Sequence, residues 1–165
     1  MEAFDRALNT KDVYPNATKD MKILDAGAGT GGIGEMLKVR GYTNVDALDI
    51  SQEMLNLAAS KNLYKKLICA PLTDTHMKEV ETAEYDVVLC AGTIVYGQVK
   101  PGAIEQCARF VKPGRWIWTI FVCSVIPSIS YRDLVTKKKA IVYPFSISVM
   151  CCALRCLLVW RFSSK

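Results

Sequence analysis

Asp25, Gly27, Gly29 and Gly31 stand in the stretch Ile23 to Gly34, ILDAGAGTGGIG, with the spacing D-x-G-x-G-x-G. Glycines at alternate positions let a turn take torsion angles closed to other residues and bring backbone close to a ligand. An acid two residues before the first glycine faces whatever lies on that turn. Its charge suits a ligand with an ammonium or sulfonium group, held directly or through water. Gly29, Gly31 and Gly34 also spell G-x-G-x-x-G, so a nicotinamide dinucleotide competes for the same loop. A dinucleotide places its pyrophosphate on this backbone and on a helix N-terminus, where a carboxylate at the strand's end would repel it. Charge therefore favours the cationic ligand over the dinucleotide. The chain has no G-x-x-x-x-G-K motif followed by Ser or Thr, which argues against a nucleoside triphosphatase.

A second acid, Asp49, closes the apolar run NVDALDI. From the end of a strand such a carboxylate can accept both hydroxyls of an adenosine ribose. Asp46, three residues earlier, falls on the opposite strand face and lies inside the strand, which suits it less. Ile50, Met54 and Leu72 are apolar candidates to flank a flat adenine ring, although at helical spacing Met54 and Leu55 also suit a core.

These residues need elements to place them. Met21 to Ala26 reads as a strand, and Gly31 to Arg40 as a helix with Ile33, Met36 and Leu37 on one face and Gly41 as its stop. Asn44 to Ile50 is a second strand, with Ser51 as N-cap of a helix through Ala59. Leu67 to Ala70 is a short third strand, Thr73 to Glu84 a loop or helix, and Tyr85 to Cys90 (YDVVLC) a fourth strand apolar enough to be buried on both faces. Pro101 to Val111 then predicts a helix, Lys112 to Gly114 a turn, and Trp116 to Val122 a fifth strand. The alternation predicts an α/β fold, a doubly wound Rossmann-like sheet that binds ligands beyond the carboxyl ends of its strands.

Taken in order, DAGAGTG, LDIS followed by Met54 and Leu55, YDVVLCAG and VKPG resemble the signature of class I S-adenosylmethionine-dependent methyltransferases, over about Lys22 to Ile120. NLYKKLICAPL and GQVKPGAIEQCARFVKPG further resemble the methyltransferase-like proteins named after the Williams-Beuren syndrome region. The resemblance implies S-adenosylmethionine as cofactor, with Asp25, Gly27, Gly29 and Gly31 at its methionine end and Asp49 at its ribose. It places Leu72 near the adenine, and Cys90, Ala91 and Gly92 on the floor between cofactor and acceptor. Where many relatives carry an acid after the third strand, this chain has Ala70 and Pro71. In-line methyl transfer relies on positioning, and a dedicated base is needed only if the acceptor must lose a proton. The sole histidine, His76, is expected to be exposed and without a role, and Tyr96 is the better candidate for an acceptor-facing residue.

Composition sets further bounds. The chain's 165 residues are 51% hydrophobic, enough for one domain with a core. The formal charge of +5 comes mainly from basic residues near the end, and the body before Tyr131 is close to neutral, which gives no nucleic-acid footprint. Cys69, Cys90 and Cys107 sit among apolar neighbours and are expected to act as small buried hydrophobes. With no secretory start in MEAFDRALNTKD, a reducing cytoplasm is the expected location. No His, Cys, Asp and Glu group has metal-ligand spacing, and nothing specifies an oligomeric state.

The expected organisation is a short N-terminal remnant at 1–20, the cofactor-binding domain at 21–122, and an apolar, Cys-rich tail at 123–165. Relatives close over the cofactor with a longer N-terminal segment. The tail reads like a frameshift, an alternative exon or an intron translated in frame, so the sheet is expected to be incomplete at its C-terminal edge. Ala140 to Trp160 is also long enough to cross a membrane, with Lys137 to Lys139 beside it, although Pro144 and Arg155 interrupt the run. Three functions follow in order: a methyltransferase with an unidentified acceptor, a truncated cofactor-binding module without turnover, and an NAD-dependent oxidoreductase.

Overall fold

A computed structural model describes residues 18–91, 93, 102–122, 141–143 and 155–161. The weak helix expected at Ala3 to Leu8 lies outside them. Strands β1 (Ile23–Ala26), β2 (Val45–Asp49), β3 (Lys66–Cys69), β4 (Tyr85–Ala91) and β5 (Val111–Val122) alternate with helices α1 (Gly32–Val39), α2 (Gln52–Ser60) and α3 (Ala103–Phe110). Two further strands, β6 (Ile141–Tyr143) and β7 (Arg155–Arg161), complete a sheet of order β3-β2-β1-β4-β5-β7-β6. The first five strands are parallel, and β1 lies between β2 and β4 with Asp25 opposite Ala47 and Leu89. The order of strands reverses there, beside the carboxyl end of β1, which is where open α/β sheets bind ligands.

The expectation of an incomplete C-terminal edge is corrected. β7 runs antiparallel to β5, from Trp116 opposite Arg161 to Val122 opposite Arg155, and β6 pairs antiparallel with β7. Parts of the apolar stretch proposed as a membrane span are thus sheet strands, and 144–154 lies outside the described residues. Among the described residues no helix is long and apolar enough to cross a membrane. The turn expected at Lys112 to Gly114 appears inside β5 as an irregularity: β4 pairs at Tyr85 with Val111, then resumes at Val87 with Trp116.

Strand alternation divides the core into two layers. On one face Leu24, Ala26, Leu48, Ile68, Val88 and Cys90 pack beneath Ile104, Cys107 and Phe110 of α3, with Met77 and Val80 of the 72–84 segment. On the other, Ala47 packs with Ala28, Leu55 of α2 and Tyr64. Ser51 caps α2 as expected, its hydroxyl accepting from the Met54 amide at 3.3 Å. Cys90 and Cys107 are buried as expected, whereas Cys69 is exposed on β3, an edge strand that pairs with β2 on one side.

Asp46 takes no part in the glycine loop. It is only 4% exposed and accepts a hydrogen bond from the Tyr85 hydroxyl at 3.0 Å, with Lys22 Nζ 3.6 Å away. Removing one partner of a buried acceptor leaves its desolvation uncompensated. Tyr85→Phe is therefore expected to lower the unfolding free energy by about 1–2 kcal/mol in urea titration, with ligand binding unchanged.

Candidate functional site

The site begins where β1 ends. Asp25 lies on the α2 face of the sheet, the face that Leu24 and Ala26 leave to it by alternation, and is 1% exposed. The chain then turns through Gly27, Gly29 and Gly31, with φ of 82°, 53° and 94°. The turn is tied to β2: the amides of Gly27 and Ala28 both donate to the Leu48 carbonyl, at 2.7 and 3.1 Å. At Gly27 a side chain is excluded twice, by its left-handed φ and by the Thr93 hydroxyl, which occupies the place of a Cβ. Thr93 itself donates to the Ala26 carbonyl at 3.2 Å, bracing the strand end from the side of β4.

Asp49 holds the tip of this turn. Its Oδ2 accepts from the Gly29 amide at 2.7 Å and its Oδ1 from the Ser51 amide at 2.9 Å. Each carboxylate oxygen retains a second acceptor site, so the hydroxyls of a ribose can still bind there. Gly31 is the N-cap of α1 and offers no side-chain cap, which leaves the first amides of that helix, at Gly32 and Ile33, without intrahelical partners. A ligand carboxylate suits that end of the helix.

Asp25 is the electrostatic anomaly. Its Oδ2 accepts from the Tyr64 hydroxyl at 2.7 Å, while its Oδ1 is buried with no hydrogen-bond partner among the described residues. Burial pushes its pKa up to about 7; the Tyr64 hydrogen bond opposes this and the nearby Asp49 charge adds to it. A buried, orphaned carboxylate oxygen beside a second carboxylate is the arrangement a cationic ligand would complete.

The structure brings Asp25, Gly27, Gly29, Gly31 and Asp49 together. Ile50 follows as an exposed apolar side chain, 71% accessible at the carboxyl end of β2, and Met54 is also exposed rather than core. Leu72 is half-buried and packs against the α3-side core. Cys90 requires a correction: its side chain is 1% exposed and packs in the α3-side core, so the thiol does not line a floor beneath the cofactor. His76 is exposed. Gly92 and Tyr96 lie outside the described residues. Tyr64 and Thr93, which touch Asp25 and the loop, were not singled out by sequence reasoning. The interior glycine of α1, Gly34, was a signal for Tyr64, since such a glycine marks a close approach.

Residues 23–114 match the family model for the methyltransferase domain. The chain belongs to this methyltransferase domain family. Among its relatives, ubiquinone biosynthesis O-methyltransferase of Burkholderia vietnamiensis is 29% identical over 99 residues, covering 59% of this chain and 42% of that protein. Human methyltransferase-like protein 27 is 31% identical over 100 residues, 61% of this chain and 40% of that protein. The chain thus spans less than half the length of these curated relatives. Magnesium protoporphyrin IX methyltransferase from Synechocystis, solved with bound S-adenosylmethionine, shares the fold with a TM-score of 0.68 at 18% identity, covering 97% of this chain and 78% of that one.

Proposed function

We propose that this methyltransferase domain binds S-adenosylmethionine at the β1 glycine turn and transfers its methyl group to an acceptor not yet identified. The observation that carries this is the buried, unpartnered Oδ1 of Asp25 facing no cationic side chain among the described residues. Asp25 would hold the cofactor's ammonium group, and the amides at the start of α1 its carboxylate. Asp49 would accept the ribose hydroxyls while its existing bonds to Gly29 and Ser51 keep the turn in shape. Ile50, exposed at the end of β2, and Leu72 would flank the adenine. With Ala70 and Pro71 in place of an acid after β3, the adenine amine is left to backbone groups. When bound, the cofactor supplies an electrophilic methyl group whose sulfur leaves as a neutral thioether. The chain's own contribution is alignment, which can account for much of the acceleration of such a displacement.

A dinucleotide fits poorly, because its pyrophosphate would meet Asp25, whereas Asp49 could accept the ribose of either cofactor. A reducing, cytoplasmic location belongs to this proposal, with Cys90 and Cys107 buried as small hydrophobes. Calorimetry of the full chain with S-adenosylmethionine, S-adenosylhomocysteine and NAD tests the cofactor. Binding of the first two without the third is expected, and binding of NAD alone would overturn the assignment. Transfer itself is read with a methyl-labelled cofactor against small-molecule and protein acceptors; label retained on the cofactor throughout would leave a binding module.

A further inference from the structure

Tyr64 precedes β3, far in sequence from the glycine turn, yet its hydroxyl touches both the turn's acid and its helix. The hydroxyl donates to Asp25 Oδ2 at 2.7 Å and accepts from the Gly34 amide at 3.1 Å. An amide can only donate, so the single phenolic proton is committed to the carboxylate. The Gly34 amide belongs to the first turn of α1, and the Tyr64 oxygen supplies the partner that the helix cannot. A Cβ at Gly34 would stand 2.5 Å from the Tyr64 ring, so the interior glycine of α1 is what admits the ring.

We propose that Tyr64 is a positioning residue of the cofactor site. It pins Asp25 Oδ2 to the first turn of α1, which reserves Oδ1 for a cationic ligand and favours the ionised carboxylate such a ligand requires. This role rests on the cofactor assignment above. Among the described residues, the charged groups facing this pair are Asp49 of β2, which acts on Asp25, and Glu35 of α1, which acts on Tyr64. Both are acidic. Burial pushes the Tyr64 phenol well above its ordinary pKa, so it remains a donor across the working range. Without the hydroxyl, burial and the Asp49 charge act on Asp25 unopposed, and its carboxyl takes up a proton at higher pH.

The test compares the natural chain with Tyr64→Phe. Two readouts are used: the titration of the Asp25 carboxyl by NMR without ligand, and the affinity for S-adenosylhomocysteine by calorimetry across pH. Tyr64→Phe is expected to raise the Asp25 midpoint by about one pH unit, the worth of one such hydrogen bond. Affinity near neutral pH is expected to fall about tenfold, with the ratio between the two proteins shrinking as pH rises. A merely structural tyrosine would lower the unfolding midpoint but leave the Asp25 titration where it was, and that result overturns the proposal. Should Tyr64→Phe fail to fold, a fluorotyrosine at this position alone keeps the ring and donates more strongly. It is expected to lower the Asp25 midpoint, and an unmoved midpoint again overturns the proposal. If Asp25 responds but the natural chain binds no S-adenosylhomocysteine at any pH, the cofactor assignment falls and the coupling of Tyr64 to Asp25 stands.

Discussion

Above neutral pH, Asp25→Asn is expected to unfold at a higher urea concentration than the natural chain while losing most of its affinity for S-adenosylmethionine. The carboxyl is 1% exposed, and burial raises its pKa from 3.8 to about 7. For an acid with a raised folded-state pKa, the folded state holds its proton more tightly than the unfolded one. Its stabilising contribution is therefore complete below the unfolded pKa and is lost as pH rises through the folded one. A shift of this size corresponds to ~4 kcal/mol lost above about pH 7. Asn avoids that ionisation, but its amide nitrogen would replace Oδ1 as a buried group without a partner, which costs about 1–3 kcal/mol. The variant is thus expected to gain about 1–3 kcal/mol above neutrality and to lose that advantage progressively on acidification. Affinity is expected to fall by about 10- to 100-fold with the loss of the charge-assisted contact to the ammonium. Urea titrations at several pH values, paired with calorimetry, read both effects. A variant less stable than the natural chain at every pH would show that Asp25 is not held as an uncompensated charge.

Asp49→Ala has the second large effect and separates the two carboxylates. It removes acceptors from the Gly29 and Ser51 amides, so the glycine turn loses its tether to the end of β2. These bonds are charge-assisted but half-exposed, and together their loss is expected to lower stability by about 2 kcal/mol. Affinity for S-adenosylhomocysteine is expected to fall about 100-fold, because the ribose acceptor and the shape of the turn are lost together. The Asp25 midpoint should move down at the same time, since Asp49 contributes to holding it up. Calorimetry and the Asp25 carboxyl titration distinguish this pattern from Asp25→Asn. Unchanged affinity would show that Asp49 does not hold the ribose.

The parts of the fold legible in the sequence are those written in local signals. The β1 glycine turn, the Ser51 cap and the Asp49 strand end each depend on a few adjacent residues, and the structure has all three. Asp46 and Asp49 were separable by strand alternation alone, and Asp46 does lie on the α3 side with Tyr85. Cys90 was misplaced because YDVVLC is buried on both faces: Val87, Val88, Leu89 and Cys90 are all inaccessible, so their hydrophobicity does not reveal which face a given side chain takes. β6 and β7 were missed because their pairing is fixed by long-range antiparallel register with β5, against a background of Cys, Pro and Arg that shows no period. Tyr64 was missed for a related reason. It meets Asp25 across 39 positions and Gly34 across 30, and only the glycine inside α1 hinted at it.

The most direct test of the central claim is the pH dependence of S-adenosylmethionine binding to the natural chain, measured by calorimetry. Binding requires Asp25 ionised and the ligand's amino group protonated. With the first titrating at about 7 and an α-amino group near 8, affinity is expected to peak between them and to fall towards tenfold per unit on the acid side. An affinity that stays flat across that acid limb, or the absence of binding at any pH, would contradict the account of Asp25 as the acceptor of a cationic cofactor.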